Sequence, residues 1–114
     1  MSDCIFCKII DKKIPAKILL ENENTLAFAD LNPVAPTHIL FIPKKHISSL
    51  DQLTEADSTI IANLLLDISK FANNEKLNLN GYRIINNIGK DAGQTVFHIH
   101  FHLIAGRKME WPPG

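Results

Sequence analysis

Apolar side chains change their spacing several times along these 114 residues, and each change marks an element. Ile5, Ile9 and Ile10 recur at helical intervals behind Asp3, a good N-cap. A short helix is therefore expected to run to about Lys13, with Pro15 ending it. Lys17 to Leu20 and Thr25 to Asp30 then read as two strands, joined by the polar Glu21-Asn22-Glu23-Asn24 as a hairpin. Asn32-Pro33-Val34-Ala35-Pro36 breaks the pattern. His38 to Ile42 resumes it, short and almost wholly apolar, as a central strand covered on both faces would be.

Thr54-Glu55-Ala56-Asp57 has capping-box spacing, with Asp where Glu or Gln is usual. Behind it Ile60, Ile61, Leu64, Leu65, Ile68, Phe71 and Ala72 recur at helical period, which predicts one long amphipathic helix ending near Asn73-Asn74. Tyr82 to Ile88 is β-branched between Gly81 and Gly89, and Gln94 to Ile104 alternates, so the two should pair around the Gly89–Gly93 loop. The expected fold is α+β: an antiparallel sheet of about five strands, one long helix on a face, and a short N-terminal helix.

Composition narrows the function. A chain of 12.8 kDa with 46% hydrophobic residues makes one domain, residues 1–114, with a core that needs no disulfide lattice. Twelve basic residues balance twelve acidic ones, so no bulk field draws the protein to nucleic acid or to an anionic membrane. The longest apolar runs, Ile39 to Ile42 and Ile60 to Leu66, fall far short of the ~20 residues of a membrane span. Asp3 and the lysines at 8, 12 and 13 interrupt any hydrophobic leader, so a cytoplasmic location is expected.

The chemistry concentrates in His98-Ile99-His100-Phe101-His102-Leu103. Period-two alternation puts three imidazoles on one face, neighbours about 6.8 Å apart at the α-carbons, near enough for a hydrogen-bonded chain, and Phe97, Ile99, Phe101 and Leu103 on the core face. Sheet packing alone gives no reason for repeated titratable rings. Such a row suits either a metal site or nucleophilic attack at phosphorus by a neutral imidazole. Just upstream, Gly89-Lys90-Asp91-Ala92-Gly93-Gln94-Thr95 offers glycines, backbone N–H groups and a hydroxyl to an anion, which favours phosphoryl or nucleotidyl transfer. With no Asp-rich cluster or lysine-bearing phosphate loop for magnesium, the transfer is expected to need no metal cofactor. Cys4-Ile5-Phe6-Cys7 admits three readings: buried thiols, a redox pair, or half of a zinc site. With no strand ahead of it, the redox pair is the weakest of these.

The run His98 to Ile104 resembles the signature of the histidine triad (HIT) superfamily. Ile14-Pro15-Ala16-Lys17, Asp30, Ala35-Pro36-Thr37-His38, Ile42-Pro43-Lys44-Lys45-His46, Gly93-Gln94-Thr95 and the closing Trp111-Pro112-Pro113-Gly114 are similar to its nucleotide-binding branch. The resemblance runs from about residue 4 to the end. It implies a homodimeric purine nucleoside phosphoramidase that hydrolyses adenosine 5′-phosphoramidates, including AMP-lysine and aminoacyl adenylates, and binds AMP or GMP. His100 would be the nucleophile that takes AMP as a phosphohistidine, with His98, His102 and His38 orienting it. Thr95 stands where the family usually has serine, its added methyl restricting the rotamer. Asp30 would hold the ribose hydroxyls; Leu31, Phe6, Ile9 and Phe28 would sandwich the base; Asn87, Gly93 and Gln94 would hold the phosphate side. The tail, residues 105–114, would pack at the dimer interface. Relatives with a C-x-x-C imply a structural zinc on Cys4, Cys7, His46 and His98, which leaves His100 free. A nucleotide-binding adaptor with residual hydrolase activity is the alternative to an enzyme. Apart from the resemblance, Asp30 and Asn87 read as turn residues, Lys44 and Lys45 as a solvated face, and Trp111 as a tail anchor.

Overall fold

The computed structural model describes residues 3–114. Its elements are α1 (Ile5–Ile10), β1 (Ile18–Glu21), β2 (Thr25–Ala29), β3 (Thr37–Pro43), α2 (Ser58–Asn74), β4 (Tyr82–Ile85) and β5 (Phe101–Ala105). Together the strands form one antiparallel sheet in the order β1-β2-β3-β5-β4. The α+β expectation holds, strand for strand.

Two cores sandwich this sheet. On one face Ala27, Ile39, Phe41, Phe101 and Leu103 meet Leu64 and Ile68 of α2. On the other, Leu26, Phe28, Leu40 and Ile42 meet Phe6 and Ile9 of α1. Strand β3 lies in the middle and is buried from His38 to Pro43, as its unbroken apolar run requires. Helix α2 buries Leu64, Ile68 and Ala72, one stripe at four-residue spacing. Its start is built as expected: the Thr54 backbone N–H donates to Asp57 Oδ2 (3.1 Å), and a 3₁₀ turn at Glu55–Asp57 leads into the helix. Lys45 Nζ sits 2.7 Å from Asp57 Oδ1 and Lys44 Nζ 2.8 Å from Glu21 Oε2, so this pair of lysines staples elements rather than only facing solvent. The Lys45 and Lys12 hydrogen bonds hold the Asp57 and Glu21 carboxyls, respectively, below their ordinary range.

Three elements differ from expectation by more than one residue at an end. Helix α1 stops at Ile10 rather than near Lys13, because Lys12 turns into the left-handed region (φ 62°), and its N-cap is Cys4 rather than Asp3. Strand β4 stops at Ile85, not Ile88. The last strand begins at Phe101, not Gln94, because the chain ahead of it turns to a different partner: Ile99 N–H donates to Ile47 O (2.6 Å) and Gln94 Nε2 to Ser48 O (3.0 Å). Phe97 is correspondingly 56% exposed instead of in the core, whereas Ile99, Phe101 and Leu103 are buried as the alternation requires. Past β5 the chain turns back at Gly106 (φ 97°), where a Cβ would lie 2.8 Å from Pro36 Cβ.

Candidate functional site

Register explains which imidazoles meet. Leu40 pairs with His102 and His38 with Ile104, so His38 and His102 are diagonal neighbours on one sheet face, and their rings touch: His38 Nε2 to His102 Nδ1 is 2.9 Å. The Val34 N–H points at His38 Nδ1 (3.1 Å), which makes that nitrogen an acceptor and places the His38 proton on Nε2. His38 therefore donates to His102 Nδ1, with Asp30 Oδ2 also 3.4 Å from His38 Nε2. His102 must then carry its own proton on Nε2. The residues preceding β5 continue this logic through backbone. His100 Nδ1 donates to the His98 carbonyl (2.8 Å), which leaves the His100 Nε2 lone pair free. His98 Nε2 donates to the Pro43 carbonyl (2.8 Å), which turns its own lone pair, on Nδ1, the other way.

The three histidines of the row are thus not a hydrogen-bonded chain along the strand. The imidazole-to-imidazole bond crosses from β3, and His100 is fixed by a carbonyl. Burial pushes His98 down to about 4, with His46 and His100 adding repulsion to its cation. His102 is also pushed down to about 4, by burial first and then by His100 and His38. Both rings are neutral at pH 7.

Beside this row lies a cavity of about 250 Å³ with an apolar lining. Phe6, Ile9, Phe28 and Leu31 form part of its walls, and the polar groups that border it are Asp30, Thr95, His100 and His102. Phe6 stands edge-on to Phe28 (centroids 5.4 Å) and to His100 (5.1 Å). Asp30 is oriented by its own turn, Oδ1 accepting the Asn32 N–H at 2.7 Å, so the turn geometry and the cavity position coexist in one residue.

The glycine loop is placed differently from expectation. The Gly93 N–H donates to Lys90 O and the Gln94 N–H to Gly89 O, both at 3.0 Å, so these amides close the turn rather than waiting for an anion. The buried Gln94 side chain braces the loop, accepting from Gly89 N–H (2.9 Å) and donating to Ser48 O and Val96 O. Neither Gly93, Gln94 nor Asn87 lines the cavity; Thr95 does, through its exposed hydroxyl-bearing side chain. Sequence reasoning missed Asn86, whose Nδ2 donates to the His100 carbonyl (2.8 Å) where the β4–β5 ladder has ended, leaving Oδ1 buried without a partner. It also missed Ile5, Ala16 and Val96 in the wall.

A second cluster adjoins the first. Cys4, Cys7, His46 and His98 bring one donor atom each within 4.8 Å of the others. Cys4 Sγ lies 3.4 Å and Cys7 Sγ 3.6 Å from His98 Nδ1, Cys7 Sγ 3.4 Å from His46 Nδ1, and the two Nδ1 atoms are 3.2 Å apart. Tetrahedral zinc with its usual bond lengths separates such donors by about 3.3–3.8 Å, and the His98 lone pair faces the sulfurs. The donor set fits. Burial and the neighbouring Cys4 push the Cys7 thiol up to about 11.

The family model for the HIT domain matches residues 11–109. The chain belongs to the HIT family. This HIT protein is 46% identical over 112 residues, 98% of its length and 97% of the relative's, to an uncharacterised HIT-like protein of Synechococcus elongatus. Its fold matches the crystal structure of a HIT family hydrolase from Legionella pneumophila with a TM-score of 0.96 and 48% identity, over 98% of this chain and all of that one. A histidine triad nucleotide-binding protein from Candida albicans matches with a TM-score of 0.82 and 35% identity, over 96% of this chain and 83% of that one. Within the HIT protein's described residues, no helix is long and apolar enough to cross a membrane.

Proposed function

We propose that this HIT protein is a purine nucleoside phosphoramidase, which cleaves the phosphorus–nitrogen bond of adenosine 5′-phosphoramidates and releases AMP. One observation carries the reading: the His100 Nδ1–H is committed to the His98 carbonyl, so Nε2 is the ring position left for chemistry, on a histidine that borders an apolar cavity rimmed by a carboxylate. In this mechanism the base enters between Phe6, Ile9, Phe28 and Leu31, and Asp30 accepts from the two ribose hydroxyls. His100 Nε2 attacks phosphorus, the bond to nitrogen breaks, and the nitrogen takes up a proton from solvent as it leaves as the amine, a proton returned when the incoming water is deprotonated. His102 Nε2–H and the Thr95 hydroxyl donate to the phosphoryl oxygens and the departing nitrogen, taking the part expected of the loop amides. Water then attacks the adenylyl-imidazole and frees AMP. The similarity to a HIT family hydrolase and to a nucleotide-binding histidine triad protein supports this reading.

Two further parts belong to the proposal. Cys4, Cys7, His46 and His98 would hold a structural zinc, whose contribution when bound is to fix the start of α1 against the sheet. The chain would work as a homodimer: β4 ends the sheet with one edge open, Ile84 upon it is 37% exposed, and Trp111 of the tail is 83% exposed in the single chain. Steady-state hydrolysis of an AMP-amine by wild type and by His100→Ala tests the proposal. Loss of turnover by about a thousandfold or more in the variant is expected for removal of a nucleophile; an undiminished rate rejects it.

A further inference from the structure

Helix α1 forms part of the cavity wall and packs on the sheet through Phe6 and Ile9, but its polar ties are few. Among the described residues, the polar contacts joining Cys4–Ile10 to the chain beyond Lys13 run through two sulfurs, Cys4 Sγ on His98 and Cys7 Sγ on His46 and His98. Between these sulfurs in sequence lies Phe6, which packs edge-on against His98 (5.9 Å), His100 (5.1 Å) and Phe28 (5.4 Å). Both cysteines are free and partly exposed, and the Cys7 N–H donates to Cys4 Sγ (3.3 Å), so one helical turn holds the pair together. Cys4 also lines a second, open cavity of about 400 Å³, bordered by His46 and Phe97. Ile5, Thr95 and Val96 line both cavities and form the partition between them.

We propose that Cys4 and Cys7 form a thiol switch on the nucleotide site, a hydroperoxide joining them as an intrachain disulfide that unfastens α1 and loosens the Phe6 wall beside His100. The inference rests on the nucleotide and zinc readings above. The Cys4 sulfur attacks the outer peroxide oxygen, the O–O bond breaks, and a sulfenic acid and an alcohol (water, for hydrogen peroxide) result. The Cys7 sulfur then attacks the Cys4 sulfur, the S–O bond breaks, and the oxygen departs as water. Two electrons pass from the sulfur pair to the peroxide, and the two protons that complete the product oxygens come from the thiols in the metal-free chain and from solvent where the sulfurs would be held as zinc thiolates. A disulfide sulfur is no longer a thiolate donor, so the four-donor set falls to His46 and His98. The ties between α1 and the sheet imidazoles go with it.

The test treats the full-length, zinc-reconstituted chain with stoichiometric hydrogen peroxide and follows three quantities: intact mass with peptide mapping, zinc released to a chromogenic chelator, and AMP affinity by calorimetry. Expected are loss of two hydrogens mapped to Cys4–Cys7, zinc release in step with the disulfide, and AMP binding weakened about tenfold, the value of one well-packed aromatic contact. Dithiothreitol with zinc restores all three. Oxygen addition without a disulfide overturns the proposal, as does complete disulfide formation with AMP affinity unchanged. If the reduced chain takes up no zinc, the zinc reading fails separately, and mass and AMP affinity still decide the switch. If the reduced chain binds no AMP, the nucleotide reading fails separately, and the Phe6 and His100 ring signals in NMR decide: displacement on oxidation supports the switch, and unchanged signals overturn it.

Discussion

His98 and His100 stand two residues apart in one motif, yet their rings have different partners, and His98→Ala separates the two. The support for the His100 ring comes from the His98 carbonyl, which alanine retains. The His98 side chain is fully buried and donates to the Pro43 carbonyl at 2.8 Å. Its removal leaves a cavity under Phe6 and an unpartnered carbonyl. A large-to-small change at a buried ring costs about 3–5 kcal/mol, part of it the stranded acceptor. For a domain of this size about 1 kcal/mol moves the melting temperature by roughly 4 °C, so a fall of about 12–20 °C is expected. Turnover should fall far less than in His100→Ala, within about tenfold of wild type, which is the loss of positioning without loss of the nucleophile. Both proteins are first stripped with a chelator so that metal loading does not enter the difference. Calorimetric melting and single-turnover cleavage of an AMP-amine at 15 °C give the two numbers. A His98→Ala protein as stable as wild type, or as inactive as His100→Ala, refutes the division of labour.

Two other outcomes follow from the same geometry. Asp30→Asn should weaken AMP binding by about 10–100-fold, the worth of charge-assisted hydrogen bonds at about 1.5–3 kcal/mol, and should abolish discrimination against a 2′,3′-dideoxy analogue; calorimetry showing equal affinity contradicts the ribose assignment. His102 has its ordinary value near 6.5 when unfolded and about 4 when folded, so between these values the unfolded chain binds the proton and the folded chain does not. Stability should therefore be full above about pH 6.5 and decline as pH falls toward 4, with a shallower slope in His102→Gln; urea titrations giving equal slopes would count against the neutral ring.

The parts of this fold that sequence periodicity announces are those where burial repeats. Helix α2 and strand β3 follow directly from their apolar stripe and run, and the capping box at Thr54–Asp57 marks the 3₁₀ turn that leads into α2 at Ser58. Strand ends are less legible, because Gln94–His100 keeps a strand-like alternation while its hydrogen bonds go to Ile47 and Ser48, a tertiary partner that spacing does not encode. The same limit applies to the site. His100, His102, His38, Asp30, Thr95 and the apolar wall do come together, whereas Gly93 and Gln94 spend their donors closing the turn. A glycine-rich loop announces that backbone can approach an anion; it does not say which N–H groups remain free. Asn86 carried no signal beyond a polar residue at a strand end, and only the strand register reveals that it reaches the His100 carbonyl. The cysteine pair was visible from its spacing, but its convergence with His46 and His98 depends on chain reversals across more than ninety residues.

The proposed mechanism requires His100 Nε2 to form a bond to phosphorus. Rapid mixing with an AMP-amine, acid- or base-quenching on the turnover timescale, and peptide mapping by mass spectrometry test it most directly. An adenylyl group on the peptide bearing His100, formed and consumed at rates that account for turnover and missing from His100→Ala, is the predicted result. Adenylylation of another residue, or full turnover with no adenylylated protein when product release shows a burst, contradicts it.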